Sequence, residues 1–431
     1  MSVPMKVLII STLRWPNPPR IALTLTKTGF IVGSVSPSRS LVRRTRAVHR
    51  HYTYRPWAPA NSITRAIEDW SPDLLVCTDD GAVKELHNIH VRATNGPTAA
   101  SSVKIIKLIE TSLGNPEGFE FSRKKSKLIF MAKSLGVRCP PTAGISDHDV
   151  DNQLDTVSYP ILIKGDGSYA GKSVRIVGDA IQARRTMREF QLPPAWPTVL
   201  RIIIARLFPT TIVKWICKDP SAVCTQDFID GYAANRAVAC WKGEVLAGIS
   251  VRVHETVSTF GSGALVEIID SPEMTDTANV LIKRLNLSGI IGFDFILDSE
   301  NRAWLIEMNP RVTPVSYLGC STNLSTALFS KVAGIAVSFQ ISSVQGKLIA
   351  LFPQELERSP HSEFISSGYD DVPWEDPELV LAILKEALKV KPLTRLRTRR
   401  QNRRNSMIHK LQRKTMMIAP KKIQTSFNQI I

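Results

Sequence analysis

Between residues 290 and 311 the sequence carries three oxygen-bearing side chains, Asp294, Glu307 and Asn309, at a spacing that a β-hairpin would bring together. Ile290 to Leu297 and Arg302 to Met308 read as strands around a turn at Asp298 to Asn301. With the turn centred between Glu300 and Asn301, Asp294 pairs across the ladder with Glu307, and Asn309 follows two residues along the same face. The opposite face then holds Phe293, Phe295, Leu297, Trp304, Ile306 and Met308. That core surface specifies the register, because a slip of one residue would bury both carboxylates. Two carboxylates about 5 Å apart repel by roughly 3 kcal/mol at an effective dielectric of about 20. A magnesium ion offsets this naturally, since it is usually held by one or two carboxylates together with substrate phosphates. Compensation by Arg311 or a lysine is the structural alternative.

A second stretch could approach phosphate. In residues 159 to 177 two apolar strands flank a loop with Gly165, Gly167, Ser168 and Gly171. The substring AGKS is not a phosphate-binding P-loop, because Asp166 stands where that motif needs glycine and a strand, Val174 to Val177, follows instead of a helix. The better reading is a glycine-rich flap whose backbone N–H groups can approach phosphate oxygens closely. Lys164, at the end of the first strand, adds a point charge. Ser122 to Leu135 reads as a helix with Ser122 as N-cap and Gly136 as its stop. Basic residues crowd its first turn, which suits an anionic ligand or a solvated basic face.

The elements that would carry these groups alternate. Residues 5 to 10 read as a buried strand, 19 to 28 as an amphipathic helix stopped by Gly29, and Phe30 to Val35 as a strand. Ile63 to Trp70 and Asp73 to Cys77 repeat the pattern and end in the acidic turn Thr78, Asp79, Asp80, so a parallel sheet is expected for residues 1 to about 100. No G-x-G-x-x-G follows the first strand, which disfavours a nicotinamide cofactor. Thr12, Arg14 and Arg20, at the carboxyl end of that strand, are candidates to face a substrate or simply to form a surface loop. Residues 222 to 230 and 237 to 251 alternate as antiparallel strands, the second pair turning at Lys242 to Glu244.

These stretches together resemble the ATP-grasp superfamily of carboxylate-amine ligases over roughly residues 100 to 330. The matching words, in the family's order, are KKSKLIFMAKSLGVRCPPT (124 to 142), YPILIKGDGSYAGKS (159 to 173), TQDFIDG (225 to 231) and GFDFILDSENRAWLIEMNPR (292 to 311). The resemblance implies an α/β and α+β chain: an N-terminal Rossmann-like parallel-sheet lobe at 1–100, then a two-lobed ATP-grasp fold at 101–330, with lobes of about 101–190 and 191–330. A helical or mixed extension at 331–390 and a basic tail at 391–431 complete the chain. It implies ATP with Mg2+ or Mn2+ as cofactors. Lys125, Lys164, Gly167, Ser168 and Gly171 would lie against phosphate. Gln226 would face the adenine amine, with the backbone of Asp227, Phe228 and Ile229 along the ring edge. Asp294, Glu307 and Asn309 would hold metal, and Arg311 and, more weakly, Arg252 would steady the transferred phosphate. The sequence departs from the family at Ala233, where many members carry an acid for the ribose; Asp230 or Asn235 could substitute. The implied reaction joins a small carboxylate to an amine through an acyl phosphate. A bicarbonate-phosphorylating relative and a catalytically silent nucleotide-binding protein are the rivals.

Composition bounds the rest. At 431 residues the chain is long enough for two or three lobes, and a hydrophobic share of 43% excludes wholesale disorder. The net charge of +17 is local: from Lys385 onward there are 14 Lys and Arg against Glu386 alone, which leaves the body near +4. Residues 391 to 431 therefore read as an arm for RNA, DNA, an anionic membrane or an acidic partner, or as a solvated extension. A helix capped by Asp376, with Pro377 in its first turn, precedes them. Six cysteines without a C-x-x-C pair read as reduced thiols. The apolar run Val7 to Ile10 is too short for a signal peptide or membrane span, so a cytoplasmic protein is expected. A homodimer is one open alternative for its assembly.

Overall fold

In the computed structural model the described residues are 4–96, 99–123, 125–144, 154–165, 174–191, 223–258, 261–318, 324–335, 346–359, 361–366 and 371–389. The chain divides into two compact units, Met1–Val380 and Leu381–Ile431. Of the second, only helical residues 381–389 are described. The flap residues Gly167, Ser168 and Gly171, the side chain of Lys125 and the basic tail lie outside the described residues.

The N-terminal sheet is parallel. Strands β1 (Lys6–Ile10), β2 (Ile31–Ser36), β3 (Arg50–Thr53) and β4 (Leu74–Cys77) lie in the order β3-β2-β1-β4. The helix between β1 and β2 spans Asn17–Lys27, starting two residues earlier than its apolar spacing suggests because prolines occupy its first turn, where a missing N–H costs nothing. Ile21, Ala22 and Leu25 bury one face of it, and Gly29, at φ +106°, makes the break into β2. The chain leaves β1 toward β2 on one side while β4 lies on the other, so a crevice opens between the carboxyl ends of β1 and β4.

Asp79 fills the base of that crevice. Its carboxylate is fully buried and accepts from Ser11 Oγ (3.0 Å), the Thr12 N–H (2.7 Å), Thr12 Oγ1 (2.7 Å), the Leu13 N–H (3.3 Å) and the Ala82 N–H (2.9 Å). It thereby caps the helix Asp80–Asn95 and pins the loop after β1. This corrects two expectations. Thr12 is spent on Asp79, and Arg20 is buried against Asp371 at 3.1 Å with its guanidinium over the Tyr317 ring, so both hold the fold together instead of facing a ligand.

Two antiparallel sheets follow. The smaller comprises β5 (Thr142–Gly144), β6 (Ile161–Gly165), β7 (Val174–Val177) and β8 (Val223–Asp227), in the order β5-β8-β6-β7. The larger comprises β9 (Tyr232–Trp241), β10 (Glu244–Thr256), β11 (Gly263–Ile269), β12 (Gly289–Leu297), β13 (Ala303–Asn309) and β14 (Leu348–Ala350), in the order β13-β12-β9-β10-β11-β14. β9 and β10 turn at Lys242 and Gly243, both at positive φ, as the turn residues suggest. One face of the large sheet packs Val238, Phe293 and Phe295 on Leu281 and Ile282 of the helix Pro272–Leu285; the other sets Ala237, Ala239 and Ile290 in a core with Leu324 and Leu328. Gly231 joins the two sheets where a side chain could not fit, since a Cβ there would lie 2.1 Å from the Leu297 carbonyl oxygen.

Phe119–Arg123 and Lys125–Ser134 are helical, so Ser122 lies within helix and is not its N-cap. The chain had already entered helix through the turn Pro116–Gly118, whose N–H groups Asn115 caps. Leu128, Ile129 and Ala132 are buried as the spacing requires. Asp376 does begin the last helix, Pro377–Lys389, accepting from the Leu379 N–H at 3.2 Å.

Asp79→Ala strands the backbone N–H donors of Thr12 and Leu13 in a buried crevice, while the Ala82 N–H keeps the carbonyl of residue 79 at 3.1 Å, and should cost about 3 kcal/mol. Chemical denaturation of the variant would read this directly; an unchanged midpoint would show that the loop after β1 holds without its carboxylate.

Candidate nucleotide and metal site

The hairpin of β12 and β13 is tied at its turn by Asp298. That carboxylate accepts from the Trp304 indole N–H (2.9 Å), Arg302 Nε (2.8 Å) and the N–H groups of Glu300 and Arg302. These bonds, the Trp304 one foremost, hold its pKa well below the usual carboxylate range. Leu297 pairs with Ala303, which centres the turn on Glu300, half a residue from the expected position. A register shift between Asp294 and Phe295 restores the pairing of Asp294 with Glu307 by leaving Ile306 unpaired. The expectation for the acid pair therefore holds. The expectation for the core face is corrected: Leu305 and Ala303, not Ile306 and Trp304, stand with Phe293, Phe295, Leu297 and Met308, because the turn's own register places Ala303 and Leu305 on that face and the bulge switches alternation beyond them.

Asp294 lies between two strands. Its Oδ2 accepts from Asn309 Nδ2 at 2.8 Å, and its Oδ1 accepts from Asn235 Nδ2 on β9, directly opposite in register. Thr313 Oγ1 donates to Asn235 Oδ1 at 3.5 Å, which orients that amide. Burial, then the charge of Glu307, push the Asp294 carboxyl up to about 6 against the lowering effect of the two amides and Arg311. Asn235, weighed from sequence as a ribose ligand, is thus committed to Asp294. Only the strand order could reveal this, since β9 precedes β12 by some fifty residues yet is its neighbour.

The donor set fits a hard divalent cation. Two carboxylates and an amide oxygen leave coordination positions for phosphate oxygens and water, the usual arrangement for Mg2+. Among the described residues no group of three or more His, Cys, Asp or Glu side chains is placed to hold a metal without such a partner.

Arg311 reaches away from the hairpin to the N-terminal sheet. Its Nε donates to Asp80 Oδ1 at 2.9 Å, Nη2 to Asn309 Oδ1 at 3.1 Å and Nη1 to the Val312 carbonyl at 3.3 Å, and the guanidinium lies 5.6 Å from the Trp15 ring centre. Burial opposes its charge, but the carboxylates of Asp80, Glu307 and Asp294 together outweigh burial and raise its pKa. The acidic turn after β4 was legible in the sequence; its partner was not.

Arg252 is not brought to this site. It is in register with Ala234, itself opposite Phe295, so it occupies the other face of the sheet from Asp294. There it donates to Asn301 Oδ1 at 2.6 Å and lies over the Tyr232 ring. On the small sheet the structure does join two of the expected residues: Lys164 Nζ donates to Gln226 Oε1 at 2.5 Å, and Gln226 Nε2 donates to Thr142 Oγ1 at 2.9 Å. The Gln226 side chain is buried. The Asp227 N–H, expected along the ring edge, is taken by the Pro141 carbonyl at 2.9 Å.

A parallel sheet, a small antiparallel sheet with a lysine, and a large one with paired acids make up the fold that carries the candidate site. Residues 210–315 match the ATP-grasp domain family. The chain carries an ATP-grasp domain. It is 25% identical over 210 residues to the carbamoyl phosphate synthase large chain of Thermotoga neapolitana, a match covering 48% of this chain and only 17% of that relative. In fold it is similar to N5-carboxyaminoimidazole synthetase from Staphylococcus aureus, solved with ADP (TM-score 0.57, 12% identity, 79% of this chain and 81% of that one). It is similar also to L-amino acid ligase from Bacillus licheniformis (TM-score 0.54, 14% identity, 80% and 79%). Among the described residues no helix is long and apolar enough to cross a membrane.

The raised Asp294 pKa sets a sign for stability. Folded protein retains this proton at pH values where the unfolded chain, at about 3.8, has released it, so the contribution is full below 3.8 and is lost as pH rises through about 6. In metal-free buffer at pH 7, Glu307→Gln should therefore raise stability by about 1–3 kcal/mol, the size of the repulsion removed. The gain should disappear near pH 4, and Mg2+ should stabilise the parent more than the variant. Denaturant titrations at both pH values check it; equal stability at pH 7 would mean that the acids do not repel.

Proposed function

We propose that the protein is an ATP- and magnesium-dependent ligase that joins a small carboxylic acid or amino acid to an amine through an acyl phosphate. The observation that carries this reading is the facing of Asp294 and Glu307, with Asn309 beside them, on a hairpin whose turn and bulge set that register. The ATP-grasp match over the same hairpin supports it.

In the proposed reaction an oxygen of the substrate carboxylate attacks the terminal phosphorus of ATP. The bond to the bridging oxygen breaks, releasing ADP and leaving an acyl phosphate. The amine nitrogen then attacks the acyl carbon, the carbon–oxygen bond breaks, and phosphate departs as the nitrogen loses a proton. Bound Mg2+ would supply charge neutralisation on the phosphates, held by Asp294, Glu307 and Asn309. The chain's own groups position and neutralise: Lys164 and Lys125 toward phosphate, Arg311 toward the transferred group, Gln226 and the backbone of Phe228 and Ile229 toward the base. Arg252, on the far face, takes no part. The flap Gly167, Ser168 and Gly171 would exclude water. No side-chain nucleophile is needed.

The likeness to a carbamoyl phosphate synthase chain favours a second reading, in which bicarbonate is the acid phosphorylated. Magnesium-dependent ADP release, screened with amino acids and small carboxylic acids paired with amines, and separately with bicarbonate alone, distinguishes the two. Release driven by bicarbonate and by none of the organic acids would overturn the first. In the productive assay Glu307→Gln should lower the rate on the order of 10²-fold or more. Undiminished turnover would remove the acids from the mechanism.

The basic segment from Lys391 is proposed as an accessory arm for a polyanion or acidic partner, on its charge alone. Truncation at Lys391 should abolish salt-sensitive retention on heparin and leave ADP release unchanged; a matching fall in ADP release would make the arm part of the enzyme's core.

A further inference from the structure

The crevice between β1 and β4 is where an open parallel sheet receives its ligand, and this chain has altered its charge. The N–H groups of Thr12, Leu13 and Ala82, which would otherwise hold an anion at the strand ends and helix start, are all consumed by Asp79. The approach is closed as well, since a Cβ on Gly81 would lie 2.2 Å from Thr12 Oγ1. The mouth of the crevice is left with an ion pair lying side by side, Asp80 with Arg311 at 2.9 Å.

Both partners have capacity to spare. Asp80 is 38% exposed, and its only hydrogen bond among the described residues uses Oδ1, so Oδ2 remains to accept. Arg311 uses Nε and one hydrogen on each terminal nitrogen, leaving a second hydrogen on each. Asn309 connects this guanidinium to Asp294, so whatever Arg311 holds lies beside the proposed metal hairpin.

We infer that the Asp80–Arg311 pair is the recognition element for a zwitterion, and that the carboxylic acid to be activated is an amino acid. Its carboxylate lies on Arg311 and its ammonium on Asp80 Oδ2. Adjacent opposite charges on the protein match adjacent opposite charges on the ligand. A carboxylate without an ammonium, bicarbonate included, meets Arg311 but lies beside Asp80 Oδ2 and gives that oxygen no donor. This identification of the acid rests on the ligase reading, although binding of the zwitterion can be measured without turnover.

The test is calorimetric titration of the full chain, with and without MgADP, against the twenty L-amino acids, their carboxamides and their N-acetyl derivatives. At least one amino acid should bind ten-fold or more tightly than both its single-charge derivatives. Asp80→Asn should bring that amino acid down to the affinity of its N-acetyl derivative while MgADP affinity stays unchanged. The proposal is overturned if no amino acid binds, if the N-acetyl form binds as well as the parent, or if Asp80→Asn keeps the preference. Failure of MgADP to bind would instead count against the ligase reading, and a variant that no longer binds MgADP is replaced by Asp80→Glu, which should retain selectivity for the ammonium.

Discussion

The structure depends on holding two like charges opposite each other. Asp294 and Glu307 face across β12 and β13, and the cost of that arrangement is visible in the raised pKa of Asp294. Amides from Asn235 and Asn309 give Asp294 hydrogen bonds but no charge, and Arg311, whose charge bears on both acids, makes its shortest hydrogen bond to Asp80. Two facing acids with an amide oxygen beside them are a donor set that suits a hard divalent cation.

The same economy of charge recurs at the N-terminal crevice. There Asp79 satisfies the backbone donors of two strand ends from within the chain, so the crevice keeps its shape but not its attraction for anions. Asp80, one residue later, faces outward to Arg311. Two consecutive acids at the end of one parallel strand therefore have opposite duties: one closes the floor and one links the N-terminal sheet to the hairpin. This ion pair, with the Val312 N–H donating to the Cys77 carbonyl at 3.0 Å, joins the end of the hairpin to the parallel sheet.

The bulge at Ile306 connects local sequence to this geometry. The turn closes around Asp298 in the way its four donors dictate, and that closure alone would pair Asp294 with Ile306. One unpaired residue in β13 brings Glu307 opposite Asp294 and Met308 opposite Phe293, while Leu305 and Ala303 face the core by the turn's own register. The turn sets the core face near it, and the bulge sets the acid pair beyond it.

By itself the sequence determined what periodicity and local turn chemistry encode: three of the four parallel strands and the helices Asn17–Lys27 and Pro59–Trp70, though not the strand Arg50–Thr53 or the helix Asp80–Asn95, with the β9–β10 turn at Lys242 and Gly243, the pairing of Asp294 with Glu307, and the cap at Asp376. Those features depend on residues near one another in the chain. Only the tertiary structure decided that Asn235 serves Asp294, that Arg311 turns to Asp80, that Thr12 and Arg20 are structural, and that Arg252 lies on the far face. Each of these follows from which strand lies beside which, and on which side of the pleat a residue falls. Neighbourhood across a sheet is settled by burying the whole core at once, so no single segment carries it.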